Sequence, residues 1–288
     1  MTPTSPGRDS LAFLPGASSL ARKLALFVPL PEGDRRALDA LLVSEEQFPA
    51  DADIVAEGAA PRSVFLLQAG MAVRYRNLRD GRRQIMTFLI PGDLCNPHMF
   101  LLKAMDHSIG SLTSVRIAAL SREGLMRMSA SRPRVSAALW WSTLQEESML
   151  RERIVSLGRR DARGRVAYLL CELLWRFSAM GLAEGGMYRL PLTQTELGDA
   201  LGLTPVHINR VLKEFREQRL IAMEQRLLKV LDIEGLQNLA AFNKEYLHLD
   251  HAPADIAKHI EWLEREQAHD KDCLAADDLA GSPGKAGI

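Results

Sequence analysis

The residues best placed to do chemistry lie between Thr193 and Lys213, in the stretch TQTELGDALGLTPVHINRVLK. At 100° per residue, Val206, Arg210, Lys213 and Glu217 fall on one side of a helix that begins near Pro205. Ile208, Val211, Leu212 and Phe215 fall on the other, at the i, i+3, i+4, i+7 spacing of a core face. An arginine on the outward side can give a guanine two hydrogen bonds, worth roughly 1–3 kcal/mol of discrimination, and a valine can pack on a thymine methyl. His207 and Asn209 flank this face, in reach of bases or phosphates. Lys213 lies further along and suits phosphate, as do Thr193, Gln194 and Thr195 at the start of the preceding helix. Thr204 and Pro205, at the helix start, complete the candidate DNA-contacting set.

Other reactive side chains form no pattern. Cys95, His98 and His107 are spaced unlike any usual metal-ligand set, so the histidines read as surface or loop residues. Cys95 has no adjacent Lys or Arg to lower its pKa. Cys171, within YLLCELLW, reads as a core thiol, and Cys273 as an exposed one in the tail. No catalytic constellation is visible, and neither a cofactor nor a metal is expected.

The elements that must hold the reading face are written locally. Thr193 followed three residues later by Glu196 is a capping box, which starts a helix. Gly202 permits a tight turn, Leu203 plugs the core, and Thr204 caps a second helix with Pro205 at its first position. Two capped helices joined so closely make a helix-turn-helix. The apolar runs RLIAM and LLKVLDI, separated by EQR, follow as a hairpin able to act as a wing. Between residues 210 and 229 six Lys or Arg stand against three Glu, an electrostatic footprint for nucleic acid. An ordinary helical hairpin with a solvated charged face is the plain alternative.

The 288 residues suffice for about two domains. Hydrophobic residues make up 47% and charged residues 25%, with zero formal net charge, so bulk charge points to no partner. No apolar run has the roughly 18 residues of a membrane span, and the N-terminus lacks the pattern of a signal peptide. Three scattered cysteines form no disulfide framework, which suits a reducing cytoplasm.

Residues 1–19, rich in Ser, Pro and Gly, read as disordered. Short helices broken at Pro29 and Pro31 follow, with Leu38, Leu41 and Leu42 at helical spacing. From about Phe48 to Ser121 the runs DIVAEG, SVFLLQAGMAVRYRN and RRQIMTFLIPGDL read as strands, with Asp80-Gly81 a hairpin turn. Such spacing predicts a barrel or jelly roll over residues 20–130. Residues 131–160 read as a long helix with a hinge at Gly158–Gly164. Its apolar residues, Trp140, Trp141, Leu144, Leu150, Ile154 and Leu157, form either a seam between two subunits or packing against the barrel. Residues 161–242 make the helical domain with its hairpin. Residues 243–288 form an extension in which Ile256, Ile260 and Leu263 line up on a helix, before a disordered end.

Taken in order, VAEG…SVFLLQAGMAVRY…DGRRQIMTFLIPGDL, the long helix from about Arg132, and LPLTQTELGDALGLTPVHINRVLKEFREQRLI resemble the Crp/Fnr family of bacterial transcription regulators. The resemblance covers about residues 20–242. It implies an α+β architecture: an N-terminal β-roll of the cyclic-nucleotide-binding, jelly-roll type, a dimerisation helix, and a C-terminal winged helix-turn-helix. It also implies a homodimer on a palindromic DNA site, and RNA polymerase is an expected partner. Arg210 matches the family arginine that reads guanine, while Val206 stands where a Glu is frequent, so the preferred half-site should differ. Cyclic-AMP binders resemble one another in a Gly-Glu pair after PGD and an Arg-Ser pair. Here PGDLCNPHMF has no such Glu and His107-Ser108 replaces Arg-Ser, which removes the bidentate clamp on a cyclic phosphate. No cysteine precedes Cys95, so the N-terminal iron–sulfur cluster of oxygen sensors is not available. The expected function is therefore a cytoplasmic DNA-binding regulator gated by neither. The alternatives are a scaffold whose helix-turn-helix binds a protein, and a cupin-type enzyme, for which the barrel segment offers only His98 and His107.

Overall fold

Ser18 accepts a hydrogen bond from the Ala21 N–H (3.2 Å) and so starts helix α1, Ser19–Leu24. The computed structural model describes residues 18–60, 63–97 and 102–280, the side chains of 269–280 excepted. Residues 1–17, His98 and residues 281–288 lie outside it, and so does the Cys273 side chain. Residues 18 and 19, expected within a disordered segment, belong instead to the capped start of α1. Pro29 and Pro31 separate α1 from α2, Glu32–Asp39.

Seven strands follow: β1 (Leu42–Phe48), β2 (Asp53–Val55), β3 (Val64–Ala69), β4 (Ala72–Asn77), β5 (Arg83–Leu89), β6 (Ser108–Ser111) and β7 (Val115–Leu120). They form two antiparallel sheets, β1-β7-β3 and β2-β6-β4-β5. Leu66, Leu67, Ala72, Leu89, Ile109 and Ile117 fill the space between them. The β3–β4 turn needs Gly70, whose φ is +85° and whose Cβ would lie 2.3 Å from the Ser114 carbonyl oxygen. Strand β1 was not expected. Its sequence LVSEEQF is largely exposed, and only its pairing with β7, from Leu42 opposite Leu120 to Phe48 opposite Val115, makes it a strand.

Helix α3 (Arg122–Ser131) leads into α4 (Pro133–Arg159), and α5 (Ala162–Ala179) follows. The chain breaks between the last two at Arg160, an extended residue (φ −85°, ψ 146°), and Asp161 caps α5 through the Gly164 N–H. The hinge is thus narrower than the two glycines that bracket it, since both are helical. The C-terminal domain adds β8 (Met187–Arg189), α6 (Gln194–Leu201), α7 (Pro205–Glu217), β9 (Ile221–Glu224), β10 (Leu227–Val230) and α8 (Ile233–Ala240). A 3-10 helix, Lys244–Leu247, and α9, Ala254–Ala280, complete the described chain.

The β4–β5 sheet is buried on both faces. Ala72 and Leu89 point into the roll, while Val73, Tyr75, Ile85 and Phe88 join the core built by α5, α6 and α7. Covering both faces explains why β4 begins with four buried residues in a row. Helix α5 is buried nearly all round for the same reason, since it lies between this sheet and the helix-turn-helix.

A buried ion cluster joins the domains. Asp93, in the PGD turn, accepts from the Ile90 N–H (2.9 Å) and pairs with Arg176 of α5 (2.7 Å) and Lys23 of α1 (3.3 Å). Arg176 also donates to the Phe88 carbonyl (2.9 Å) and lies 3.8 Å from Glu172, which pairs with Arg153 of α4 (3.3 Å). Burial opposes charge on every member. At Asp93 it is outweighed by Lys23, Arg176 and the Ile90 N–H, so the carboxyl sits below its ordinary pKa. At Lys23 burial prevails over Asp93, helped by repulsion from Arg176, and the ammonium pKa falls.

Asp93→Asn should therefore cost about 3–5 kcal/mol at pH 7, as for breaking a buried pair from one side. Because the folded pKa of Asp93 is depressed, its contribution is present above the unfolded value and lost as pH falls through the folded one. Urea unfolding at pH 7 and about pH 3 should show the gap between parent and variant narrowing in acid. An equal gap at both would contradict this.

Candidate nucleic-acid interface

The reading helix is positioned by two caps and a turn. The Glu196 N–H donates to Thr193 Oγ1 (3.2 Å), and the Thr193 N–H donates to Glu196 Oε2 (2.6 Å), which is the expected capping box. The Thr193 hydroxyl itself donates to Glu196 Oε2 (2.9 Å). Its proton is thus engaged within the cap, and Gln194 and Thr195 are the exposed residues of this turn. Gly202 ends α6 in the left-handed conformation (φ +63°), and Arg165 donates to the Leu201 carbonyl (3.0 Å). Thr204 accepts from the His207 N–H (3.3 Å), and Pro205 opens α7. The turn is so tight that a Cβ on Gly198 would lie 2.4 Å from the Leu203 carbonyl oxygen.

The two faces of α7 separate as predicted. Ile208, Val211, Leu212 and Phe215 are buried, while His207, Asn209, Arg210 and Lys213 are exposed and Val206 is 77% exposed. Arg210 has no hydrogen bond or ion pair among the described residues, and Lys213 reaches Glu217 at 3.7 Å on the surface. Leu203 is half-buried against the core.

The hairpin β9–β10 pairs Ile221 with Val230 through Glu224 with Leu227, and β8 joins it as a third strand that the sequence did not announce. Its two-residue turn is Gln225-Arg226, and both residues have positive φ (46° and 67°). Such a turn usually takes Asn-Gly, and side chains there cost roughly 1–2 kcal/mol each. Arg226 is exposed at this tip, a position that a count of charges includes but cannot place.

The sensor side is occupied by its own side chains. Asn96 accepts from the Phe65 N–H (2.7 Å) and donates to the Ser63 carbonyl (3.2 Å). The buried Ser108 accepts from the Glu57 N–H (2.9 Å). His107 pairs with Asp106 (2.6 Å), yet burial lowers its pKa, against Asp106 and with help from Arg74. Arg74 donates to the carbonyls of Cys95 (2.7 Å) and Leu94 (3.0 Å) and pairs with Glu146 of α4. Only about 20 Å³ of free space remains beside this pair, Lys23 and Arg176, room for one water. The Cys95 thiol is fully buried and pushed up to about 12 by that burial, which the charge of Arg74 does not offset. Cys171 is likewise pushed up to about 12 by burial. Trp141 stacks on Phe27 (5.5 Å) in the core, while Trp140 is 75% exposed beside an apolar cavity of about 480 Å³ between α3 and α4.

A roll, a long helix and a winged helix-turn-helix with one bare cationic face define a DNA-binding transcription regulator. Comparison with known proteins agrees. Residues 45–132 match the cyclic nucleotide-binding domain and residues 164–239 the Crp-like helix-turn-helix domain, together more than half of the chain. Over 222 residues the chain is 29% identical to the transcriptional activatory protein AadR of Rhodopseudomonas palustris, covering 76% of this chain and 90% of that one. It is 28% identical to a CRP-like cAMP-activated global transcriptional regulator of Mycobacterium tuberculosis, over 67% of this chain and 86% of the other. The solved structure of FixK2 from Bradyrhizobium japonicum aligns with a TM-score of 0.62 and 28% identity, covering 70% of this chain and all of FixK2. The chain belongs to the Crp/Fnr family of transcription regulators.

Gly198→Ala should lower stability by about 1–3 kcal/mol, since the methyl meets backbone rather than a flexible side chain. A fall in Tm of the C-terminal domain, with DNA affinity reduced in parallel, is the expected result. An unchanged Tm would mean that the turn yields.

Proposed function

We propose that this protein acts as a homodimer that reads a two-fold symmetric DNA site with α7 in the major groove. The observation that carries the reading is the partner-free Arg210 on the outward face of a helix whose opposite face is fully buried. On this reading Arg210 binds a guanine edge, and Val206 and Asn209 tune the preference. His207 and Lys213 reach phosphate, with Pro205 and Thr204 fixing the start of the helix. Gln194 and Thr195 offer phosphate the unpaired N–H groups at the start of α6, while Thr193 sets that start. Arg226 at the hairpin tip adds a further backbone contact.

The dimer rests on α4. Val135, Ala138, Trp141, Gln145 and Met149 face the chain's own core, yet Trp140, Leu144, Leu150, Ile154 and Val155 remain exposed on the same helix. Trp140, Leu150, Ile154 and Leu157 keep heptad spacing over about 26 Å, the seam of a helix pair. Both open readings of this helix therefore have support: one face packs inward and the other suits a partner. Glu147 and Arg151, which interrupt the stripe, pair with each other at 2.6 Å.

Cyclic AMP does not gate this regulator. His107 and Ser108 supply no arginine for the phosphate, Asn96 and Pro97 supply no glutamate, and the Arg74–Glu146 pair fills the adjoining space. The protein works in the cytoplasm beside its DNA, with RNA polymerase as the partner that transcription regulation requires.

Competition binding to single-base variants of a selected site tests the reading. Arg210→Ala should lose roughly 1–3 kcal/mol of discrimination at one base pair per half-site. Lys213→Ala should weaken all duplexes alike and lower the salt slope by about 1 per subunit. If both variants lose affinity uniformly, Arg210 reads no base. If neither affects binding, the helix faces a protein.

A further inference from the structure

The chain beyond residue 239 lies outside the matched helix-turn-helix domain. Its composition is that of a solvated helix, but it does not lie free. Ala241 (φ 46°) turns the chain out of α8, and Phe242 and Tyr246 pack on Tyr168 of α5 at 4.9 and 5.7 Å. Tyr246 donates to Glu172 (3.1 Å), and the Lys244 ammonium sits 4.8 Å over the Trp175 ring. The next two carbonyls are held by α4: Gln145 donates to Leu247, and the Trp141 indole donates to His248 (2.7 Å). Gln145 at the same time accepts from Lys23, a member of the buried ion cluster. The chain then reaches the sensor domain, where the Ala252 N–H donates to the Phe27 carbonyl (2.7 Å). On α9, Ile260 is buried, Glu264 takes both arms of Arg134 (2.9 and 2.7 Å), and Gln267 meets the Ala130 carbonyl (3.4 Å).

These contacts run in chain order from α5 to α4, to the α1–α2 connection, and to the corner where α3 meets the start of α4. They bridge the hinge at Arg160–Asp161, the only covalent link between the two domains. Beside them the domains meet directly in two places: at the surface, through Arg83 with Asp199 (2.9 Å) and Gln84 with the Ala200 carbonyl (3.4 Å), and inside, through the Asp93–Arg176 cluster and the core they share. We infer that residues 241–267 form a clamp that works with the Asp93 cluster to fix the DNA-binding domain on the sensor domain, so that the chain's own C-terminus helps set its position. A two-residue hinge lets a domain pivot about its shared core unless contacts on more than one side hold it, and regions with few anchoring contacts open first.

Hydrogen–deuterium exchange tests this without reference to DNA. The readout is β5 and α6, which the clamp does not touch. Two proteins are compared with the full chain: one ending at Phe242, and the full chain carrying Trp141→Phe and Arg134→Ala, which removes the indole donor and the Glu264 pair. Exchange in β5 and α6 should rise about tenfold or more in both, while β1, β3 and β7 stay unchanged. A synthetic peptide of residues 243–280 should reverse the effect in the shortened chain. If exchange rises only in α3 and α4, under the clamp itself, the extension is a passive patch and the proposal is overturned. Should the shortened chain also exchange throughout β1, β3 and β7, it has unfolded, and the doubly substituted full chain decides by the same criterion.

Discussion

One carboxylate, Asp93, holds the molecule together across its domains. It caps its own turn through the Ile90 N–H, and it faces a cation from α1 and another from α5. Buried charges are costly alone and tolerable only when paired and hydrogen-bonded. The cluster therefore favours one arrangement: if α5 moves away, Asp93 keeps only Lys23 and Arg176 only the more distant Glu172. That preference does not make the protein especially stable, since an apolar core of the same shape can do as well. It makes one position of α5 on the roll far better than its neighbours, and α5 carries the helix-turn-helix.

The same constraint accounts for the state of the sensor. Between the PGD turn and α4, Arg74 and Glu146 fill the polar side and leave the apolar cavity beside α3 open, and Arg74 is held by two backbone carbonyls. Burial lowers its pKa to about 10, which still leaves it charged at neutral pH. The β4–β5 sheet is covered by its own roll on one side and by the reading domain on the other.

What could be read from the sequence was local. The caps at Thr193 and Thr204, the Gly202 turn and the split of α7 into Ile208–Phe215 and Val206–Lys213 faces depend on neighbours within four residues, so the order of types encodes them. What could not be read was made by distant partners. Strand β1 is polar and exists because β7 pairs with it. Cys95 looked free of cations because Arg74 is 21 positions away in the chain. Trp140 and Trp141 are adjacent and alike, yet one is exposed and the other buried, because only the second faces Phe27. On α9 the expected line holds at the buried Ile260 and half-buried Leu263 but not at Ile256, which is exposed; Ala257, Glu264 and Gln267 share the packed side. The carbonyls of Leu247 and His248 bind α4 through backbone atoms, which no choice of side chain advertises.

The most direct test is selection of the full chain, with no added ligand, against random DNA duplexes at near-physiological salt. The account predicts enrichment of a two-fold symmetric site with half-site centres about 34 Å apart, one helical turn. Ile154→Glu, which places a charge in the α4 seam, should lose that symmetric site. Enrichment of an asymmetric sequence, or of none, would contradict a ligand-independent dimeric reader of the major groove.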